Sequence, residues 1–142
     1  MKILIFISLS SLLLFTQCTQ ETVSPFTDTQ QMNTTVVAGS WRITNFVDSG
    51  KDHTNQFTGY TFTFSTNGLI SAVKGSTTIT GSWATENEDS DLKLYLAFLS
   101  PSSFEDLTED WRITSKTTTS KLVLEHISGG NGGSDYLTFE KN

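Results

Sequence analysis

Residues 60–70 read Tyr60-Thr61-Phe62-Thr63-Phe64-Ser65-Thr66-Asn67-Gly68-Leu69-Ile70. Aromatic residues alternate with threonine over the first five positions, so an extended chain here has one apolar face and one polar face. The alternation stops at Asn67-Gly68, a pair suited to the positive φ at both central positions of a type I′ hairpin turn. The stretch is a strand followed by a turn, and the same pattern repeats along the chain. Runs of strand composition lie at about 39–47, 57–65, 69–74, 77–85, 92–99, 110–116, 121–127 and 135–141, separated by breaks rich in Gly, Asn, Asp and Ser. Leu92, Leu94, Leu96 and Phe98 share a face, as do Trp111 and Ile113, Leu122 and Leu124, Leu137 and Phe139, and Ile79 and Trp83.

Eight short strands with tight connections predict an all-β fold, an eight-stranded antiparallel up-and-down barrel. Closure removes the exposed edges that an open Thr-rich sheet would present. A two-sheet sandwich with Greek-key links is the alternative, because strand pattern does not encode strand order. One departure from strand is expected. Pro101 and the acids after it predict a short helix near 102–108, or an acidic loop.

The composition fits this architecture. The chain has 142 residues with 9 Lys+Arg against 15 Asp+Glu, a formal charge of -6. That length suits one domain. The negative charge argues against nucleic acid as a partner. Forty-one residues are Ser or Thr, which suits strand exteriors and turns. A single Cys, Cys18, excludes an internal disulfide framework and a multi-Cys zinc site.

The N-terminus reads as a separate object. Lys2 is followed by an apolar run from Ile3 to Phe15, 13 residues, shorter than the ~20 a membrane-spanning helix needs. This is the plan of a secretory signal peptide over residues 1–17. The segment Leu14-Phe15-Thr16-Gln17-Cys18 resembles the lipobox of bacterial lipoproteins. The resemblance implies that Cys18 becomes the mature N-terminus and carries acyl chains, which would be the protein's contact with the membrane. Thr19 in place of Asp then implies sorting to the outer membrane of a Gram-negative cell envelope. Residues 18–37 contain Pro25 and scattered apolar positions with no period, and read as a flexible tether with a reach of roughly 25 Å.

Gly39-Ser40-Trp41 opens the first strand run, and Gly81-Ser82-Trp83 and Gly133-Ser134-Asp135-Tyr136 follow later. Together with the eight-strand pattern, residues 38–142 resemble the small lipocalin-like domains of secreted bacterial lipoproteins. That resemblance gives Gly39 and Trp41 the structural role of closing one barrel end. It also implies a small hydrophobic ligand. Lipocalins of the main family are longer, and they pack a late Arg over the Trp. No Arg follows Arg112 in this chain, so Arg112 either makes that cation–π contact with Trp41 or points to solvent.

Catalytic motifs are not found. The sequence has no Gly-x-Ser-x-Gly elbow, phosphate loop or dinucleotide fingerprint. Two histidines, His53 and His126, do not make a zinc site by themselves. His53 falls in a polar loop, and His126 follows Leu122 and Leu124 as a partly buried, hydrogen-bonded residue. The acids at 86–91 and 105–110 read as solvated loops without a calcium-loop pattern. No enzyme activity, metal or cofactor is expected, and a monomer is.

The open question is the interior. Tyr60, Phe62, Phe64, Trp83, Leu94, Leu96, Trp111, Leu122 and Leu124 are the candidate lining. They could surround one small hydrophobic molecule, or fill the barrel by themselves as a structural or protein-contacting module.

Overall fold

The computed structural model describes residues 26, 28–127 and 133–142. The signal segment, Cys18 and the Gly-rich stretch 128–132 lie outside the described residues.

Nine strands form one antiparallel sheet: β1 (Trp41–Asp48), β2 (Lys51–Asp52), β3 (Thr61–Phe64), β4 (Leu69–Lys74), β5 (Thr77–Glu88), β6 (Asp91–Ala97), β7 (Asp110–Ile113), β8 (Lys121–Ile127) and β9 (Ser134–Lys141). β2 is a short hairpin extension of β1. The other eight pair in sequence order, and β1 returns to pair with β9 from Trp41↔Lys141 to Val47↔Tyr136. The chain is therefore an up-and-down barrel of eight strands rather than a sandwich.

Alternation decides what points inward. β3 and β6 bury every second residue, and Phe62, Leu94, Trp111, Leu122 and Leu137 are fully buried. The turns follow the same physics with one change. Asn67 keeps an ordinary φ and only Gly68 is at +80°, so this hairpin closes over three residues with Gly68 as the left-handed one. The type I′ pattern appears instead at Ser49-Gly50 (φ +50° and +76°) and Asp89-Ser90 (φ +51° and +73°).

Residues 29–37, expected to belong to the tether, form a helix, α1 (Thr29–Val37). Asp28 caps it by accepting from the Gln30 N–H at 2.8 Å. Met32 and Val36, one helical turn apart, are completely buried. Burial of that pair against the barrel supplies what the Thr- and Gln-rich sequence lacks in helix propensity. α1 lies against β3 and β5, and Thr85 Oγ1 bonds Asn33 Oδ1 at 2.6 Å.

The opposite end is closed by a 3-10 turn at Thr54–Phe57 and by α2 (Ser102–Glu105), shorter than the helix expected near 102–108. Phe57, Phe104 and Leu107 are all buried there. Each Trp anchors a segment by its indole N–H: Trp41 donates to Val36 O, Trp83 to Ser65 O and Trp111 to Leu107 O, at 2.8–3.0 Å.

Gly81 in β5 marks a close approach. A Cβ there would sit 2.5 Å from Ala97 O and 2.7 Å from the Phe98 ring. Gly81→Ala is expected to destabilise the fold by about 1–3 kcal/mol through overpacking. A urea midpoint equal to that of the wild type would contradict this contact.

Candidate functional site

The residues of the barrel interior pack against one another. Rings of Phe57, Phe62, Phe98, Phe104 and Phe139 meet neighbours at centroid distances of 5.2–6.4 Å, mostly edge to face. Phe64 stacks edge-on against Trp83 at 5.6 Å. Leu94, Leu96, Leu122 and Leu124 complete the buried core. Tyr60 is only partly buried at the rim, with Phe104 at 5.2 Å and Lys74 Nζ over its ring at 5.4 Å. Gly39, at φ +109°, turns the chain from α1 into Trp41. The cation over Trp41 is Lys141, 5.1 Å from the ring centroid, and not Arg112, which pairs with Glu125 on the outer face. Lys141 reaches the ring because β9 ends directly beside Trp41.

Depressions are found on the outside. One of about 500 Å³ lies among Leu69, Thr80, Ala97 and Leu99, and Leu99 is 91% exposed. A smaller groove of about 150 Å³ runs between β6, β7 and β8, lined by Lys93, Asp110, Arg112, Glu125 and His126 among others. The β7–β8 ladder ends at Arg112↔Glu125 on this side, whereas on the other it continues with the Thr114 N–H donating to Val123 O at 3.0 Å.

At the head of this groove the side chains carry the most chemistry. Register places His126 opposite Asp135 of β9. The imidazole also lies edge-on to Trp111, centroids 6.2 Å apart. Nε2 is 3.4 Å from Glu109 Oε2 and 3.4 Å from Asp110 Oδ1, and Nδ1 is 3.4 Å from Asp135 Oδ2. Asp135 is 6% exposed and accepts the Ser49 N–H at 2.8 Å. Lys93 Nζ binds Asp110 at 2.6 Å and Glu88 at 2.7 Å.

These contacts sort the acids. The hydrogen bond from Lys93 holds the Asp110 carboxyl below the ordinary carboxylate range, against some desolvation. Burial pushes Glu109 up, with His126 opposing it. Lys93 in turn is raised, first by its bond to Asp110 and then by that to Glu88. Glu109, Asp110 and His126 each offer one ligand atom, all within 4.8 Å, close enough to bind one ion.

Sequence reasoning placed His126 correctly as partly buried, by parity with Leu122 and Leu124. It read Glu109 and Asp110 as a solvated loop. The hairpin register that sets His126 beside Asp135 was the available signal. The up-and-down order expected from the sequence makes β7 and β8 neighbours; the register that brings Glu109 and Asp110 level with His126 was not readable.

The fold defines the protein as a closed antiparallel β-barrel covered at both ends. No family model and no curated protein matches the sequence. Among solved structures, the chain is similar to a DUF4847 family protein from Bacteroides vulgatus, with a TM-score of 0.51 and 16% identity, covering 78% of this chain and 97% of that one. At that identity the likeness is one of fold.

Proposed function

We propose that the protein is a lipid-anchored envelope protein whose barrel is packed solid and serves as a structural or protein-contacting unit, without a small molecule inside. The mutual packing of the interior carries this reading. Trp41, Phe62, Leu94, Trp111 and Phe139 are each completely buried among neighbouring side chains. Both barrel ends are covered, by α1 on one side and by Phe57 and Phe104 on the other. A ligand-binding barrel needs a cavity, commonly of about 300 Å³ or more, with a few placed polar groups.

The anchor rests on Cys18 and the apolar segment before it. Nine residues lie between Cys18 and the cap residue Asp28, and one of them, Phe26, is already buried in the core. The eight steps from Cys18 to Phe26 span at most about 28 Å, which would hold the α1 end of the barrel close to the bilayer. Two or three acyl chains give stable anchoring where one gives reversible binding.

Native mass spectrometry of protein gently extracted from its own membrane tests both parts. The expected species is the acylated chain with no bound small molecule. A co-purifying hydrophobic ligand would overturn the solid-barrel reading. Cys18→Ser is expected to move the protein into the soluble fraction, and unchanged membrane association would refute lipidation.

A further inference from the structure

We propose that Glu109, Asp110 and His126 bind a divalent transition-metal ion of the zinc type, with Asp135 as the outer carboxylate that orients the imidazole. The distances come first. His126 Nε2 stands 3.4 Å from both Glu109 Oε2 and Asp110 Oδ1. A tetrahedral zinc ion with ligand bonds of about 2.0–2.1 Å sets its ligand atoms about 3.3–3.4 Å apart. The three atoms lie within 4.8 Å of one another, close enough for one ion to touch all three.

The far side of the ring supplies a second observation. Nδ1 faces Asp135 Oδ2 at 3.4 Å, and Asp135 is itself buried and fixed by the Ser49 N–H. A carboxylate behind the other ring nitrogen is the usual partner of a metal-bound histidine. It holds the N–H on Nδ1 and leaves the Nε2 lone pair facing the ion.

Donor type and charge select the ion. Imidazole nitrogen with two carboxylates suits zinc and its first-row neighbours, whereas calcium and magnesium prefer oxygen alone. Three carboxylates surround one imidazole here. The cation beside them, Lys93, is shared between Asp110 and Glu88, and Arg112 is taken by Glu125. A divalent ion would offset the negative charge that Glu109 and Asp110 bring to the imidazole. The groove leads from solvent to Asp110 and His126, providing a path of entry. The site depends on neither the lipid anchor nor the state of the barrel interior.

Equilibrium dialysis of the full-length chain against ZnCl2 at neutral pH, with Co²⁺ absorption as the coordination readout, tests the proposal. The expected result is one Zn²⁺ per chain, not displaced by equal Mg²⁺ or Ca²⁺. Asp135→Asn should weaken binding about 10–100-fold, the usual effect of losing an outer carboxylate. His126→Gln and Glu109→Gln should each weaken it by more than about 100-fold, since they remove ligands of the ion itself. His53→Gln, in a separate loop, should leave it unchanged. The Glu109 side chain is 41% exposed, so its variant remains informative if His126→Gln fails to fold. No stoichiometric zinc, or undiminished affinity in Glu109→Gln, would overturn the site. Purely ionic pairing of His126 with the three acids would give that result.

Discussion

Trp41→Ala is expected to lose about 3–5 kcal/mol of folding stability, the range for deleting a fully buried large aromatic side chain. Small domains have about 5–15 kcal/mol in total, so the variant should unfold at a much lower urea concentration. Three contacts go at once. The indole fills the α1 end of the barrel, with no exposed surface. Its N–H satisfies Val36 O, in the last turn of α1, and Lys141 loses the ring beneath its ammonium. Trp41→Phe separates these effects. It keeps most of the apolar volume and removes the hydrogen bond, which is worth about 0.5–1.5 kcal/mol. A loss below 1 kcal/mol for Trp41→Ala would mean that Trp41 is not the plug of that end.

Phe104→Ala should be comparably costly, about 3–5 kcal/mol, and its second effect is more informative. Phe104 stands among Phe57, Tyr60 and Phe98 at centroid distances of 5.2–5.3 Å, with Phe62 at 6.1 Å. Truncating it leaves an apolar hole walled by aromatic rings. Holes of roughly 150 Å³ with such walls stay dry and take up benzene or xenon. The variant should therefore be stabilised by a small apolar probe that leaves the wild type unaffected, as seen in the dependence of thermal midpoint on probe concentration. Equal stabilisation of the wild type would show an interior with room for a guest, against the solid-barrel reading.

The barrel was legible because period-two alternation is a local signal. Tyr60-Thr61-Phe62-Thr63-Phe64 and Leu92 to Phe98 carry it over enough residues that no helical reading competes. Helix α1 was not legible in the same way. Its buried face is three residues, Met32, Thr35 and Val36, in a segment rich in Thr, Gln and Asn. What makes it a helix is the barrel end beneath it, which the segment's own sequence does not contain. Asp28, followed by apolar residues four apart, was the signal available. The turn at Asn67-Gly68 shows a subtler limit. The pair was read as a type I′ turn, but the register Phe64↔Ile70 leaves room for a longer loop. The cluster around His126 lay furthest from view. Glu109 and Asp110 stand at the start of β7, His126 near the end of β8 and Asp135 near the start of β9, so they meet only through the registers of two strand pairs. Lys141 over Trp41 was likewise hidden until the chain ends were paired.

That pairing of the ends has a consequence for how the molecule comes into being. β1 meets β3 at the single position Trp41↔Phe62 and relies on β9 for its remaining main-chain partners in the barrel wall. The bond from Arg42 to Lys141 O spans 99 residues. Closing a loop of that length costs about 4 kcal/mol in chain entropy, and the cost falls due before the contacts that repay it. During synthesis, the first strand made must wait for the last. Until Lys141 has emerged the chain can form only an open meander, and the final residues act as the latch of the whole wall.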